Sequence, residues 1–204
     1  RADESVIFQQ IVTLAAGPYS LSVMVRDRNG HAFARAERVD TAPDLWRRPG
    51  ITEPIPIYEG AGRTTVAALP ALLANPRATL PYGTDTMRFY VEAYGLTGDR
   101  LRLVARVVDG DDRELWRDTV ALRGDASLAA TAIAVAPDRL PVGQAEIETS
   151  PAGGGDTTRA RFLVSFSNQW VITNFDEMVS LLRYFDAQRW VDSLRKSAPA
   201  DRPN

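Results

Sequence analysis

Few residues in this chain carry reactive chemistry, and their surroundings weigh against catalysis. His31 is the sole histidine. It follows a turn glycine, and no fixed carboxylate or nucleophile is implied beside it, so it reads as a solvent-facing turn residue rather than a general base. Asp109, Asp111, Asp112 and Glu114 cluster around Gly110 and offer oxygens of the kind calcium prefers. Their spacing departs from the twelve-residue calcium loop, and hairpin turns favour the same residues, so a turn is expected there. Glu92 and Asp118 fall in strand-like stretches and have the residue types of a glycosidase pair, but nothing local sets their separation. The run Gly153-Gly154-Gly155 has neither the strand-to-helix context nor the lysine of a phosphate loop and reads as a flexible hairpin turn. No Ser-His-Asp set has supporting context. No catalytic residue, cofactor site or metal site is expected.

The aromatic and arginine residues are the better lead. Trp46, Trp170 and Trp190, with Tyr58, Tyr82 and Tyr94, fall at element ends or in connectors. Tryptophan, tyrosine and arginine are the usual anchors of protein interfaces. Trp46 with Arg47 and Arg48, Tyr58, and Phe185 with Trp190 on a terminal helix are therefore the candidate interface residues. For Trp170 and Trp190 the alternative is packing of the helices on the preceding sandwich.

Bulk properties bound the class. A chain of 204 residues holds one large domain or two small ones, and 45% hydrophobic with 25% charged residues is ordinary for a globular protein. The net charge of −2 gives no bulk attraction for nucleic acid or for an acidic membrane surface. Lys196 is the only lysine among 24 cationic residues. The rest are arginine, which fits a GC-rich coding bias or an interface built on guanidinium forks. With no cysteine, disulfides, thiolate zinc sites and cysteine nucleophiles are excluded. No apolar run approaches the roughly 20 residues that cross a bilayer as a helix.

The elements that position these residues are mostly strands. The stretch 14–27 combines a Gly17-Pro18 turn with Tyr19, Leu21, Val23 and Val25 alternating against polar neighbours, the period of a strand with one buried face. It pairs as a hairpin with 31–39 across Arg28-Asn29-Gly30, and residues 5–13 read as a further strand. Residues 40–63 hold Pro43, Pro49, Pro54 and Pro56 and read as a semi-rigid connector, with an edge strand at Ile55, Ile57 and Tyr58. Strands are expected over 64–69, 86–94, 101–108, 113–122, 128–135, 144–149 and 157–167. Trp116 is expected to be a core aromatic of its strand. Strands at this spacing, without long helices between them, predict a β-sandwich of immunoglobulin or fibronectin type. Beyond Trp170, Met178, Leu181, Leu182 and Phe185 make a helical stripe behind an Asn174 or Thr173 cap.

Setting each residue against the one 126 positions later pairs Leu14 with Leu140, Gly17 with Gly143, Leu21 with Ile147 and Ala34 with Ala160. The predicted fold is thus mostly β: tandem sandwiches with a short C-terminal helical segment. Residues 1–39 form the later strands of an incomplete first sandwich. A connector over 40–63, a complete sandwich over 64–170, helices over 171–197 and a loose tail over 198–204 follow. A half sandwich exposes a sheet edge and a core face. Either residue 1 is a processing or truncation boundary, or a partner completes the sheet.

Three runs carry a resemblance: VIFQQIVTLAAGPYSLSVMVRDRNG (6–30), FYVEAYGL (89–96), and FDEMVSLLRY (175–184) with the PADRPN end. They resemble the bacterial proteins named for a Gly-Trp-x-Thr-Asp motif, although the motif itself does not occur in this chain. The resemblance implies tandem β-sandwiches with a helical module and an extracytoplasmic, periplasmic location at the membrane periphery. It also implies a non-enzymatic role beside other protein subunits. A membrane-extrinsic accessory subunit of a photosynthetic reaction-centre and antenna complex is one such role. A carbohydrate- or ligand-binding sandwich is the alternative.

Overall fold

The computed structural model describes residues 7–45, 47–63, 65–82, 86–136 and 140–166. Among them the chain is almost wholly β, with one short 3-10 turn at Gly98–Leu101 and no helix long and apolar enough to cross a membrane. The expected helices over 171–197 lie outside the described residues.

The first two strands stand as a ribbon of their own. β1 (Gly17–Arg26) runs antiparallel to β2 (Phe33–Ala42), with Gly17 opposite Ala42 and Arg26 opposite Phe33. Asp27 closes the turn: its N–H reaches Ala32 O at 2.9 Å and its carboxylate accepts from Asn29 N at 2.9 Å. This is the side-chain mimicry of a turn for which aspartate is favoured.

A second sheet is built from β3 (Gly50–Ile51), β4 (Ile55–Gly62), β5 (Ala71–Ala74), β7 (Met87–Tyr94), β10 (Arg123–Gly124) and β11 (Ala129–Val135). Its order is β10-β11-β7-β4-β5, with β3 also paired to β7. The third sheet uses β6 (Thr79–Tyr82), β8 (Arg102–Val108), β9 (Glu114–Ala121), β12 (Gly143–Pro151) and β13 (Thr158–Phe166) in the order β6-β13-β12-β8-β9. Its pairings are antiparallel except that of β6 with β13.

The second and third sheets share one core. Met87, Phe89, Val91 and Ile133 from one sheet meet Leu103, Val107, Ile147, Phe162 and Val164 from the other. Phe89 and Phe162 meet edge to face, centroids 5.2 Å apart, the geometry that aromatic quadrupoles favour. Trp116 is partly buried against this core. The alternation that predicted β7, β8, β11, β12 and β13 is the period that turns one face of each inward. A smaller cluster of Ile57, Tyr90 and Ala130, with Leu72 packed on it, lies on the other face of the β7 sheet.

Four expectations change. Residues 7–13 make no ladder and carry no regular secondary structure, and the Gln9 side chain bonds to β5. The stretch 40–63 contributes β3 and β4, and β4 lies between β7 and β5 rather than at an edge. Pro56 fits there because it precedes the β5 ladder, which begins at Ile57, and its carbonyl takes the Asn75 N–H at 2.7 Å. The described part of 64–69 is a turn, closed by Ala68 N to Thr65 O at 3.2 Å. Three short strands, β5, β6 and β10, appear where none was expected.

Candidate functional site

Two regions depart from ordinary sandwich chemistry. The first is the face of the β1–β2 ribbon. The pairings Leu21 to Arg38, Val23 to Ala36 and Val25 to Ala34 place Leu21, Val23, Val25, Ala34 and Ala36 on one side. All five are exposed, with Leu21 at 46%, Val23 at 58% and Val25 at 66% of full accessibility. The other side mixes Ser22, Arg35 and Glu37, tied by Arg35 to both neighbours, with Met24 and Phe33. A five-residue apolar face flanked at one end by the Arg38–Asp40 ion pair has the anatomy of an interface core and rim.

The second region is a buried polar cluster. Tyr90, Glu92 and Tyr94 alternate with Phe89, Val91 and Ala93, so β7 sends them to the face opposite the main core. Both tyrosine hydroxyls donate to Glu92, that of Tyr90 at 2.7 Å. Arg63, at the end of β4, binds both carboxylate oxygens at 2.9 Å in a bidentate fork. Its remaining nitrogen donates to Val66 O and Ala68 O, which pins the 65–68 turn. Gly62, with φ of 72°, lets β4 cross the Tyr90 ring, because a Cβ there would collide with that ring.

The electrostatics fix the protonation states. Burial pushes the Glu92 carboxyl up. The hydrogen bonds from Arg63, Tyr94 and Tyr90, with the Arg63 charge, outweigh that and hold it below its ordinary 4.5. Burial first, and then the bond to Glu92, push the Tyr94 hydroxyl up to about 12 and the Tyr90 hydroxyl higher still. The bond to Glu92 raises Arg63 further above its usual range. None of these groups is set to exchange a proton near neutrality, which a general acid or base requires. Cavities of about 510 and 280 Å³ adjoin this cluster on either side of Tyr90.

The solvent side of the third sheet carries a charge ladder. Arg106 and Arg159 flank Glu148, whose side chain is 1% exposed, and Arg159 Nη2 stands 2.8 Å from its carboxylate. Glu146 is shared by Arg159 and Arg161. These are cross-strand pairs that hold register.

Of the expected interface residues, Arg47, Arg48 and Tyr58 are among the described ones. Arg47 and Arg48 are exposed in the turn before β3, where Arg47 pairs with Asp44. Tyr58 is half-exposed on β4. Trp46, Phe185 and Trp190 lie outside the described residues, as does Trp170. His31 is exposed beside the β1–β2 turn. Asp109 caps its own turn, accepting from Asp111 N and Arg113 N at 3.0 Å, and no group of metal-ligating side chains occurs among the described residues. Glu92 lies on the second sheet, inside the Arg63–tyrosine cluster, and Asp118 is exposed on the third sheet. Tyr94 is buried against Glu92 rather than available at a surface. Its signal was present in the sequence as Tyr-x-Glu-x-Tyr, a spacing that puts three polar groups on one face of a strand. Arg63, far off in sequence, carried no such mark.

The chain matches no protein-family model and no curated protein.

Proposed function

We propose that this chain is a non-catalytic interaction subunit that docks on another polypeptide through the Leu21, Val23, Val25, Ala34 and Ala36 face of the β1–β2 ribbon. One observation carries the reading: this face has the alternation of a core strand pair, and no sheet or helix among the described residues lies over it. A two-stranded ribbon with both faces in water is marginal by itself, so a partner layer supplies what the fold lacks. We read the ribbon as the later strands of an incomplete immunoglobulin- or fibronectin-like sandwich ahead of the complete one. The resemblance to the Gly-Trp-x-Thr-Asp proteins supports docking outside the cytoplasm, at the periphery of a membrane complex. In a phototrophic host a reaction-centre and antenna complex is the assembly to test first.

The second reading, a carbohydrate- or ligand-binding sandwich, draws on the cavity of about 510 Å³ beside Tyr90, Arg63 and Thr131, within the size range of ligand pockets. Its one aromatic ring, Tyr90, is 3% exposed and hydrogen-bonded to Glu92, so it offers no stacking platform, and the interaction reading is preferred.

The experiment is purification of the tagged full-length protein from membranes of its native host. Stoichiometric recovery with membrane subunits, lost in a Val23→Asp, Val25→Asp variant that keeps the parent's circular dichroism and melting temperature, is the expected result. A monodisperse monomer recovered with no subunit, or recovery indifferent to that variant, overturns the proposal.

A further inference from the structure

The two larger sheets have four outer strands in their pairing orders, and three of them are blunted. β9 carries Glu114, Arg117 and Asp118, β10 is two residues long and includes Arg123, and β6 contains Pro81. Charge, shortness and proline are the usual devices that stop an edge from adding another strand. β5, Ala71-Leu72-Leu73-Ala74, has neither charge nor proline within it.

One side of β5 is taken by β4. On the other, the Gln9 side chain lies against the edge, donating from Nε2 to Leu72 O at 2.8 Å and accepting at Oε1 from Ala74 N at 2.8 Å. The backbone of residues 7–15 makes no ladder with it. A primary carboxamide presents the donor and acceptor of a peptide group, and one residue of a parallel neighbouring strand would make these same two bonds. Beneath this strap lies the cavity of about 280 Å³, lined by Ile11, Ile55, Pro70, Leu72, Ala74 and Tyr90 among others. Ile55 and Leu73 keep 41% and 37% of their surface exposed.

We infer that the outer edge of β5 is a strand-addition site for an extended segment of a partner polypeptide, with the Gln9 carboxamide holding the place of its backbone. The occupant is a polypeptide because the groups already satisfied there are a backbone carbonyl and a backbone N–H, at the spacing of a strand. It presents an apolar side chain because the space beside the edge is bounded by Ile55, Pro70, Leu72 and Tyr90. Main-chain bonds supply the affinity and the side-chain pocket the selectivity. The site shares no residue with the β1–β2 face, so either can fail alone.

The test uses a fluorescent hexapeptide of alternating threonine and valine, N-methylated along one edge so that it cannot pair with itself. It is titrated into the full chain and into Gln9→Ala by anisotropy. Removing two competing hydrogen bonds should tighten binding by roughly tenfold or more. The Ala74 amide should exchange faster in Gln9→Ala and recover protection when the peptide is added. Ala74→Pro, which removes the outward N–H, should abolish binding. No tightening in Gln9→Ala, or binding that leaves the Ala74 amide unprotected, overturns the inference. Self-association of Gln9→Ala in preference to peptide binding also overturns it, since the occupant is then a second copy.

Discussion

The hairpins β1–β2 and β12–β13 are built alike and end in opposite environments. Each opens on a glycine of unusual backbone, Gly17 at φ 145° and Gly143 at φ 138°. Counting from that glycine, Tyr19, Leu21, Val23 and Val25 fall where Ala145, Ile147, Thr149 and Pro151 fall in the other. Ile147 and Thr149 are fully buried, while Leu21 and Val23 keep 46% and 58% of their surface. The second strands differ in register: Leu21 faces Arg38, whereas Ile147 faces Ala160, the position matched to Ala34 by the 126-residue offset. The span enclosed by Leu21 and Arg38 (22–37) is therefore four residues longer than that enclosed by Ile147 and Ala160 (148–159), an even number that preserves which side chains share a face. Alternation thus specifies a face in both hairpins. Whether that face is covered depends on β7 and β11, which the second hairpin has across from it and the first does not.

The largest expected contrast comes from truncating matched residues. Ile147→Ala removes buried methyl groups from the shared core and should lower unfolding free energy by about 3 to 4 kcal/mol, read by urea denaturation. Leu21→Ala in the isolated chain should change it by no more than about 0.5 kcal/mol, as at other exposed sites. Equal losses would show that the β1–β2 face is already covered by this chain and would remove the basis for a docking partner.

The next contrast opposes the exposed face to the buried Glu92 cluster. Arg63→Ala leaves a carboxylate with 9% side-chain exposure without its counter-charge, and should cost about 3 kcal/mol. Replacing both partners, Arg63→Met with Glu92→Leu, should cost less than either single change, because no charge is stranded. The pH profile follows. Glu92 is held below its ordinary 4.5, so its contribution is complete above that value and disappears as the solution is acidified through the lower folded value. Tyr94 is held protonated up to about 12, so its contribution is complete below its ordinary 10 and declines from there to about 12. Thermal melts across pH 2 to 12 should show both flanks. In Glu92→Gln the acid flank should shrink and the alkaline flank weaken, since the Tyr94 shift loses its hydrogen-bonded carboxylate.

Much of this was legible from local pattern. The core strands β7, β8, β9, β11, β12 and β13 were set by period-two alternation and by glycine and aspartate turns, and their bounds agree with the structure to within two residues; β3 and β6, which add Ile51 and Leu80 to the same core, were not anticipated. The helical run beyond Trp170 gets no such comparison from the described residues. β5 escaped notice because Ala71-Leu72-Leu73-Ala74 has no alternation and sits between Pro70 and Asn75-Pro76, a context that reads as loop. The opposite error occurred at 64–69, where Thr65, Val66 and Leu69 have strand propensity but the Arg63 guanidinium collects the carbonyls of Val66 and Ala68 into a turn. Residues 7–13 have β-branched composition too, yet a side chain rather than a backbone meets the sheet there. At β5 and at 7–13 the deciding partner lies far off in sequence, whereas at 65–68 it is the neighbouring Arg63 side chain. Glu92 was noticed for its chemistry, as half of a catalytic pair, and its real partners were two tyrosines on its own strand and an arginine 29 positions away.

The smallest contrast lies in the two opening glycines. A Cβ added to Gly17 or Gly143 would meet no atom within 4 Å, so alanine at either place brings backbone strain without collision, about 1 to 2 kcal/mol at this φ. The strain is the same, but its readout should differ. β12 belongs to the shared core, so Gly143→Ala should lower global unfolding free energy by that amount. β1 packs no face on that core, so Gly17→Ala should leave the global transition unchanged. It should appear as faster amide exchange confined to β1 and β2, where local opening precedes global unfolding. A partner bound to the Leu21–Val25 face should then bind Gly17→Ala about fivefold to thirtyfold more weakly, the strain reappearing as lost affinity because the ordered ribbon is what the partner recognises. If both variants lower the global transition equally, the ribbon folds and unfolds with the sandwich, and its apolar face would have to be explained as part of one cooperative unit.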